Sequence, residues 1–577
     1  MAAIYCYIAL FMWGVSLLFS KEYFAHYDHK VRYYAFMLIT MFATLGVFLS
    51  KDLFTLFIFF EIMSLSSYVW VVQEETEDAL KAGVTYLAVA VIGGMVMLMG
   101  LFLLNNAIGT LKISELYEAV QNLWDEKSKQ IYTAGFLMLF GFGAKAGMFP
   151  LHFWLPKAHP VAPAPASALL SGILTKCGIF GILILTAEVF VHDLTWGGVI
   201  LTLGVLGMVT GALLAVFSVN LKRTLACSSV SQIGFILVGV GMQCFLGEEN
   251  AFAAEGTFLH MVNHSLLKLL LFNLAGVVYM NTHALDLNAV RGFGRKKPFF
   301  MGAFLMGVLG IGGMPLFNGY VSKTLLHEAI AEYIVHLTVH GHSAVTFQVI
   351  EWIFLFSGGL TVAYMLKLFV CLFVEKNPKL QEQYDEKTSY MSMLSKIVLG
   401  IPAAILPVMG IVLGRHHFGW AHLKGGLISI GIGLVVYFFV IRKIFMKNGE
   451  YINLWPERLD LEMLFSKAVW GIIGFSGFAA KIMDGFLSEW CTVENLLKAM
   501  NHLMKLPERL PETVVRFLKG TVYKETTEKP EHELVNKLHA QYDRKVDTLR
   551  LIGSSLSFGL LLACIGLILT IVYLLMH

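Results

Sequence analysis

Seven ionisable side chains sit inside apolar runs of this sequence. Glu61 lies in LFIFFEIMSLSSY, Lys145 in GFGAKAGMFP and Lys176 in SGILTKCGIFG. His260, His264 and Lys268 lie in LHMVNHSLLKLLL, and Lys323 lies in NGYVSKTLL. Placing a charge at the centre of a bilayer costs about 2.5–3.5 kcal/mol on insertion scales, so a residue of this kind is read as functional by default. A lysine in a low-dielectric site has its pKa pushed toward neutrality and can exchange a proton instead of holding it permanently. A nearby carboxylate reverses that push, so a Glu–Lys pair works as a switch. A row of Lys and His with water between its members works as a relay. The spacing i, i+4, i+8 places His260, His264 and Lys268 on one helix face. Plainer roles exist for some polar residues. Lys222 and Lys367, near the ends of apolar runs, read as lysines snorkelling to headgroups. His260 and His264 could bond a neighbouring helix, and His152 and His159 flank prolines and could support a loop.

The elements that must position these groups are membrane spans. Of the 577 residues 57% are hydrophobic and 14% charged, about half the charge usual for a soluble domain. The apolar residues come in long blocks, and a span needs roughly 20. The expected fold class is therefore an all-α polytopic membrane protein. It has about fourteen spans, near 4–20, 33–49, 52–73, 80–106, 131–151, 164–191, 195–217, 222–245, 252–282, 299–335, 350–376, 392–414, 424–446 and 549–576. The first lacks a basic start and a small-residue cleavage site, so it reads as a retained span and not a signal peptide.

Two spans read as broken. The fifth ends in Gly147, Met148, Phe149 and Pro150, and the tenth contains Gly312, Gly313 and Pro315. Proline removes a helix hydrogen bond, and such breaks survive in lipid only against protein or a wet cavity. Pro150, His152 and Pro315 are the expected supports of these breaks. The two sites echo each other, GMFPL beside Lys145 and GMPLF before Lys323, and lie an odd number of spans apart. That spacing fits two five-helix inverted repeats. Lysines and arginines concentrate in the odd-numbered short loops, which the positive-inside rule places in the cytoplasm, with both termini on the outer side.

The expected organisation is N-terminal helices over 1–50, a core with inverted repeats over 51–376 and additional spans over 377–446. A cytoplasmic-side extension follows over 447–548, with an interfacial helix at 464–487, and then a terminal anchor over 549–577. The seven cysteines are isolated, with no CxxC spacing for a metal or iron–sulfur site. No nucleophile triad, P-loop or dinucleotide fingerprint is present. The chain is therefore expected to carry neither electrons nor a catalytic centre of its own, and the near-neutral charge gives no nucleic-acid signal.

The stretch KAGMFPLHFWLPKAHPVAPAPASALLSGILTKCGIFG (145–181) resembles the signature of the antiporter-like subunits of respiratory complex I. It also resembles their relatives in energy-converting hydrogenases and multisubunit cation/proton antiporters. NLKRTLACSSVSQIGF (220–235), HMVNHSLLKLLLF (260–272) and TVAYMLKLFVCLF (361–373) resemble later helices of that family. The resemblance covers roughly residues 30–375. It implies that Glu61 is the switch glutamate and Lys145 its partner. Lys176 and Lys268, with His260 and His264 beside them, would be the central relay, and Lys323 the terminal lysine. Some members carry Glu at the last position and His in place of Lys176; this chain has Lys at both. The glutamate also comes early, as if two N-terminal helices were missing.

The resemblance further implies an ion-translocating, mainly proton-translocating, subunit of a redox-driven complex in a prokaryotic cell membrane. The iron–sulfur clusters or metals would sit in soluble partner subunits. The alternatives are a subunit of a multisubunit Na⁺/H⁺ antiporter or of an inorganic-carbon uptake complex without redox partners.

Overall fold

The computed structural model describes residues 2–25, 30–247, 251–415, 419–447 and 449–456. The final span, the interfacial helix at 464–487 and nearly all of the 447–548 extension expected from the sequence lie outside the described residues.

Long apolar helices follow one another along the chain. They are α1 (Ala2–Tyr23), α2 (Lys30–Leu49), α3 (Leu53–Val71), α4 (Glu77–Ile108), α5 (Ile113–Ala146) and the short α6 (Leu155–Val161). Next come α7 (Ala164–Val189), α8 (Leu194–Phe217), α9 (Leu221–Leu246) and α10 (Phe252–Thr282). The series ends with α11 (Pro298–Gly312), α12 (Asn318–Val339), α13 (Val345–Val374), α14 (Met393–Leu413) and α15 (His422–Ile441). Among the described residues, twelve helical segments are long and apolar enough to cross a membrane. The first nine expected spans and the eleventh to thirteenth each fall on one of them, and the tenth is split into α11 and α12.

Short polar residues in the connecting loops start several helices. Asp52 accepts the Thr55 amide at 2.7 Å, Asp193 the Trp196 amide at 2.7 Å and Asn220 the Arg223 amide at 3.0 Å. Each satisfies an amide that has no partner inside its helix. One boundary departs from expectation. Helix α5 begins at Ile113, well before the apolar stretch at 131–151, because residues 113–130 are rich in helix formers although too polar to read as a span.

Both expected breaks are present and share one geometry. Helix α5 ends on Gly147 (φ 75°, ψ 35°) and α11 on Gly313 (φ 74°, ψ 37°). The next amide in each case, Met148 or Met314, reaches back to the carbonyl five residues earlier, Gly143 at 2.9 Å or Leu309 at 3.1 Å. This is the left-handed glycine cap that closes a helix while satisfying its last carbonyls. A second kind of irregularity was not legible in the apolar pattern. Residues Leu170–Leu174, Leu185–Val189, Val370–Val374 and Val436–Ile441 are π-helical turns. A small antiparallel hairpin pairs Met446–Lys447 with Glu450–Tyr451, the one strand pair in an otherwise helical described chain.

Helices α7, α9 and α10 form the interior: their apolar windows are entirely buried, against a third or less for α14 and α15. The peripheral helices expose large apolar side chains such as Phe42, Trp352, Met393 and Phe439, as a lipid- or subunit-facing surface requires. Helices α8 and α9 meet backbone to backbone. A Cβ on Gly234 would stand 2.3 Å from the Met208 amide nitrogen, and one on Gly211 would stand 2.4 Å from that of Ser231. Small residues permit such approach where lipid supplies no hydrophobic drive between helices. Gly234→Ile is expected to lower stability by about 1–3 kcal/mol through overpacking. Gly302→Ala, where a Cβ meets nothing within 4 Å, should be neutral. Thermal unfolding in detergent compares the two.

Candidate functional site

The ionisable residues sort into three groups that the packing brings into the interior. The first lies where α3, α4 and the end of α5 meet. Lys145, in the last turn of α5 before the break, is buried. It donates to the Tyr86 hydroxyl at 2.5 Å and to Ser67 Oγ at 3.4 Å, and those two hydroxyls are themselves 2.6 Å apart. The ammonium also lies 4.9 Å from the Tyr86 ring centroid, a favourable cation–π arrangement. Glu61, less than two turns before Ser67 on α3, turns its carboxyl against Gly94 of α4, where a Cβ would stand 2.4 Å from Oε1. That oxygen is buried and has no hydrogen-bond partner. The Lys145 charge acts on it electrostatically, while the amine itself is held by hydroxyls and not by the carboxylate.

The second group joins α7, α9 and α10. Lys176 is fully buried. It donates to the Ser171 carbonyl at 2.8 Å, to Thr175 Oγ1 at 3.3 Å and, by a close contact, to His264 Nδ1. Ser171 belongs to the π-helical turn Leu170–Leu174, so an irregular backbone segment supplies a ligand to the amine. Lys268 is also fully buried. It donates to the Leu225 carbonyl at 2.7 Å and to Ser228 Oγ at 3.0 Å, and Ser228 accepts from Tyr364 of α13 at 3.0 Å.

The third group lies between α10 and the second break. His260 pairs through Nδ1 with Ser322 Oγ at 2.9 Å and through Nε2 with Gln232 Oε1 at 3.1 Å. Lys323 follows Ser322 on α12 and donates to the Ile311 carbonyl at 2.9 Å. That carbonyl is among the orphaned acceptors at the end of α11, where a cation is favoured. Asn263 and Asn318 tie the start of α12 to α10: Asn263 donates to the Asn318 carbonyl at 2.7 Å and accepts from the Asn318 side chain at 3.0 Å.

The three-residue face of α10 is thus a fan. Each four-residue step advances about 40° around a helix. His260 accordingly reaches α9 and α12, His264 reaches Lys176 on α7, and Lys268 turns to α9. At the first break, Pro150 starts a short 3-10 turn over Leu151–Trp154. The His152 ring in that turn is buried, stacks on Phe149 at 5.7 Å and leaves Nδ1 without a partner. Pro315 sits in the second break, beside Leu316 at φ 74°.

Two expectations are corrected. Lys222 and Lys367 do not snorkel; both are buried. Lys222 donates to the Ala162 carbonyl at 2.9 Å, just past α6. Lys367 donates to the carbonyls of Ala215, Val216 and Ser218 at 3.0, 2.8 and 2.7 Å. Each caps the C-terminal end of another helix, so the unpaired carbonyls there draw the amine inward. Sequence reasoning missed the neutral partners Ser67, Tyr86, Ser171, Ser228, Gln232, Ser322 and Tyr364. Their only sequence signal is that each is a polar residue inside an apolar span.

Fold and site together define a class: a polytopic helical membrane protein with two glycine-capped breaks and an interior file of ionisable side chains. The family described as NADH:quinone oxidoreductase/Mrp antiporter, transmembrane, matches residues 50–348, and the chain belongs to it. The chain is similar to hydrogenase-4 component B of Escherichia coli K12, 31% identical over 62% of this chain and 53% of that protein, so the match spans about half of that relative. It is also similar to a Na⁺/H⁺ antiporter subunit of Alkalihalophilus pseudofirmus, 30% identical over 69% of this chain and 76% of that one. Two solved structures share the fold. One is the Mrp complex of Dietzia sp. (TM-score 0.58, 21% identity, covering 74% of this chain and 83% of that one). The other is the archaeal membrane-bound sulfane sulfur reductase (TM-score 0.57, 23% identity, 70% and 77%). The chain is therefore an antiporter-like integral membrane protein, and the proteins it resembles work as parts of multisubunit membrane complexes.

Lys367→Met is expected to destabilise the protein by about 2–3 kcal/mol, since it leaves three buried carbonyls without their charged donor. Tyr86→Phe, which leaves the buried Lys145 ammonium with Ser67 at 3.4 Å, should cost about 1.5–3 kcal/mol. Thermal unfolding measures both.

Proposed function

We propose that the chain translocates protons through the file Glu61, Lys145, Lys176, His264, His260 and Lys323, with Lys268 as a branch toward the α9–α13 contact. It would do so as one subunit of a redox-driven complex I-like or energy-converting hydrogenase assembly. The observation that carries the reading is the direct contact between Lys176 and His264 within a fully buried three-helix core. An amine and an imidazole in contact there can share one proton, and neither can discharge to solvent.

Glu61 is the switch in this scheme. With Glu61 ionised, the Lys145 ammonium is stabilised; when the carboxyl is neutralised or moves, Lys145 gives its proton up toward Lys176. The hydroxyls of Tyr86 and Ser67 hold the amine in either state. Steps not spanned by direct contacts pass through water, which buried polar atoms such as Glu61 Oε1, Ser64 Oγ, Ser231 Oγ and His264 Nε2 would order. The shared cap geometry of the two breaks supports an inverted repeat, with one half-channel at each break. The loop charges support an orientation with the termini on the outer side. Iron–sulfur clusters or metals would reside in soluble partner subunits, where electron transfer alters the field at one end of the file.

A second reading draws on the similarity to the Alkalihalophilus antiporter protein, which extends over 76% of that relative: the same file would then serve a Na⁺/H⁺ antiporter without redox partners. The subunits that co-purify decide between the two.

Lys145→Ala is expected to abolish ion translocation by the assembled complex in proteoliposomes, and translocation at the parental rate would contradict the relay. Glu61→Gln should reduce the number of ions moved per turnover of the whole complex, and an unchanged ratio would contradict its role as the switch.

A further inference from the structure

Beyond Lys323 the structure carries a second set of ionisable groups that the file above does not use. His327, one turn past Lys323 on α12, pairs through Nε2 with Glu351 Oε1 of α13 at 2.8 Å. Glu328, its neighbour on α12, is in close contact with His422 Nδ1 of α15. A cavity of about 30 Å³, lined by Lys323, His327 and His422 with Tyr320, Thr324 and Ser429, lies among them. That is room for about one water molecule.

The position of the set follows from helix geometry. His327 is nine residues into α12, a rise of about 14 Å from the second break at 1.5 Å per residue. Glu351 lies six residues into α13 and His422 begins α15, so the four groups gather beside Lys323, where the first half of α12 packs against the starts of α13 and α15. Their side chains are a fifth to a third exposed (17–33%). Their partial exposure beside the cavity gives Lys323 a polar path to the surface of the chain.

We propose that the pairs His327–Glu351 and His422–Glu328 form the release mouth of the file, the last protonatable station between Lys323 and the aqueous phase, and that the ion passing there is a proton. The proposal rests on the relay reading above. Each carboxylate is already engaged by an imidazole, a pair across which a proton can pass, whereas sodium would need several hard oxygen ligands free. Among the described residues no group of three or more His, Cys, Asp or Glu side chains is placed to hold a metal ion. The other charged or titratable groups facing the mouth are Lys323 and Tyr320 on α12 and Lys424 on α15, which acts on Glu351. From α10, His260 reaches it through Ser322.

The test uses the intact complex in proteoliposomes, with a pH indicator and a sodium indicator on the side of the mouth. Lys145→Ala is run first, because transport surviving that change would overturn the relay reading and this inference with it. With the relay upheld, the double variant Glu328→Gln/Glu351→Gln should assemble and release protons at least tenfold more slowly. The release rate of the parental complex should fall as the pH on the mouth side is lowered from 8 to 5. The double variant should lose that response. Parental rates with the parental pH profile would overturn the mouth while leaving the relay standing. So would sodium release without proton release in the parent. If Glu328→Gln/Glu351→Gln fails to assemble, Glu328→Asp/Glu351→Asp decides: a slowed, pH-shifted complex supports the mouth, and a second failure to assemble overturns it as mere packing.

Discussion

The structure depends on the cost of holding amines in a medium that solvates them poorly. Lys145, Lys176, Lys222, Lys268 and Lys367 are all buried, and with Lys323 each is met by oxygen or nitrogen acceptors of the protein itself. The acceptors come from two sources. Hydroxyls and an imidazole meet Lys145 and Lys176. Backbone carbonyls released by a helix end or a π-helical turn meet Lys176, Lys222, Lys323 and Lys367. Lys268 instead takes the Leu225 carbonyl inside the regular helix α9, with Ser228 beside it, since a helical carbonyl keeps a second lone pair.

The same constraint separates two uses of buried lysine. Lys367, with three carbonyls around it, is fixed as a cap and belongs to the architecture. Lys145, held by hydroxyls that can donate as well as accept, remains supported whether or not it carries its proton. Lys176 is intermediate, with one carbonyl, one hydroxyl and one imidazole. How firmly a buried amine is held therefore depends on its partners, and burial alone does not reveal them.

Much of this was legible in the sequence. Apolar blocks located the helices, and the glycine and proline clusters at 147–150 and 312–315 located both breaks. Charges inside apolar runs named the residues that the structure places in the interior. Four features were not legible, for physical reasons. The π-helical turns change hydrogen bonding without changing composition. The burial of Lys222 and Lys367 depends on which helix end lies opposite, a tertiary fact. His327, Glu328, Glu351 and His422 fall near span ends, where an ionisable residue is ordinary, and only the packing of α12 against α13 and α15 makes them pairs. The polar first half of α5 likewise reads as loop until its helix formers are weighed against its charge.

The most direct test of the central claim is an experimental structure of the intact complex, in its membrane lipids, at a resolution that shows ordered water. The account predicts water molecules bonded to Glu61 Oε1, to Ser231 Oγ and to His264 Nε2, linking Lys145 through Lys176 to His260 without an apolar gap. Dry, closely packed apolar side chains between Lys145 and Lys176, with those polar atoms still unpaired, would contradict it.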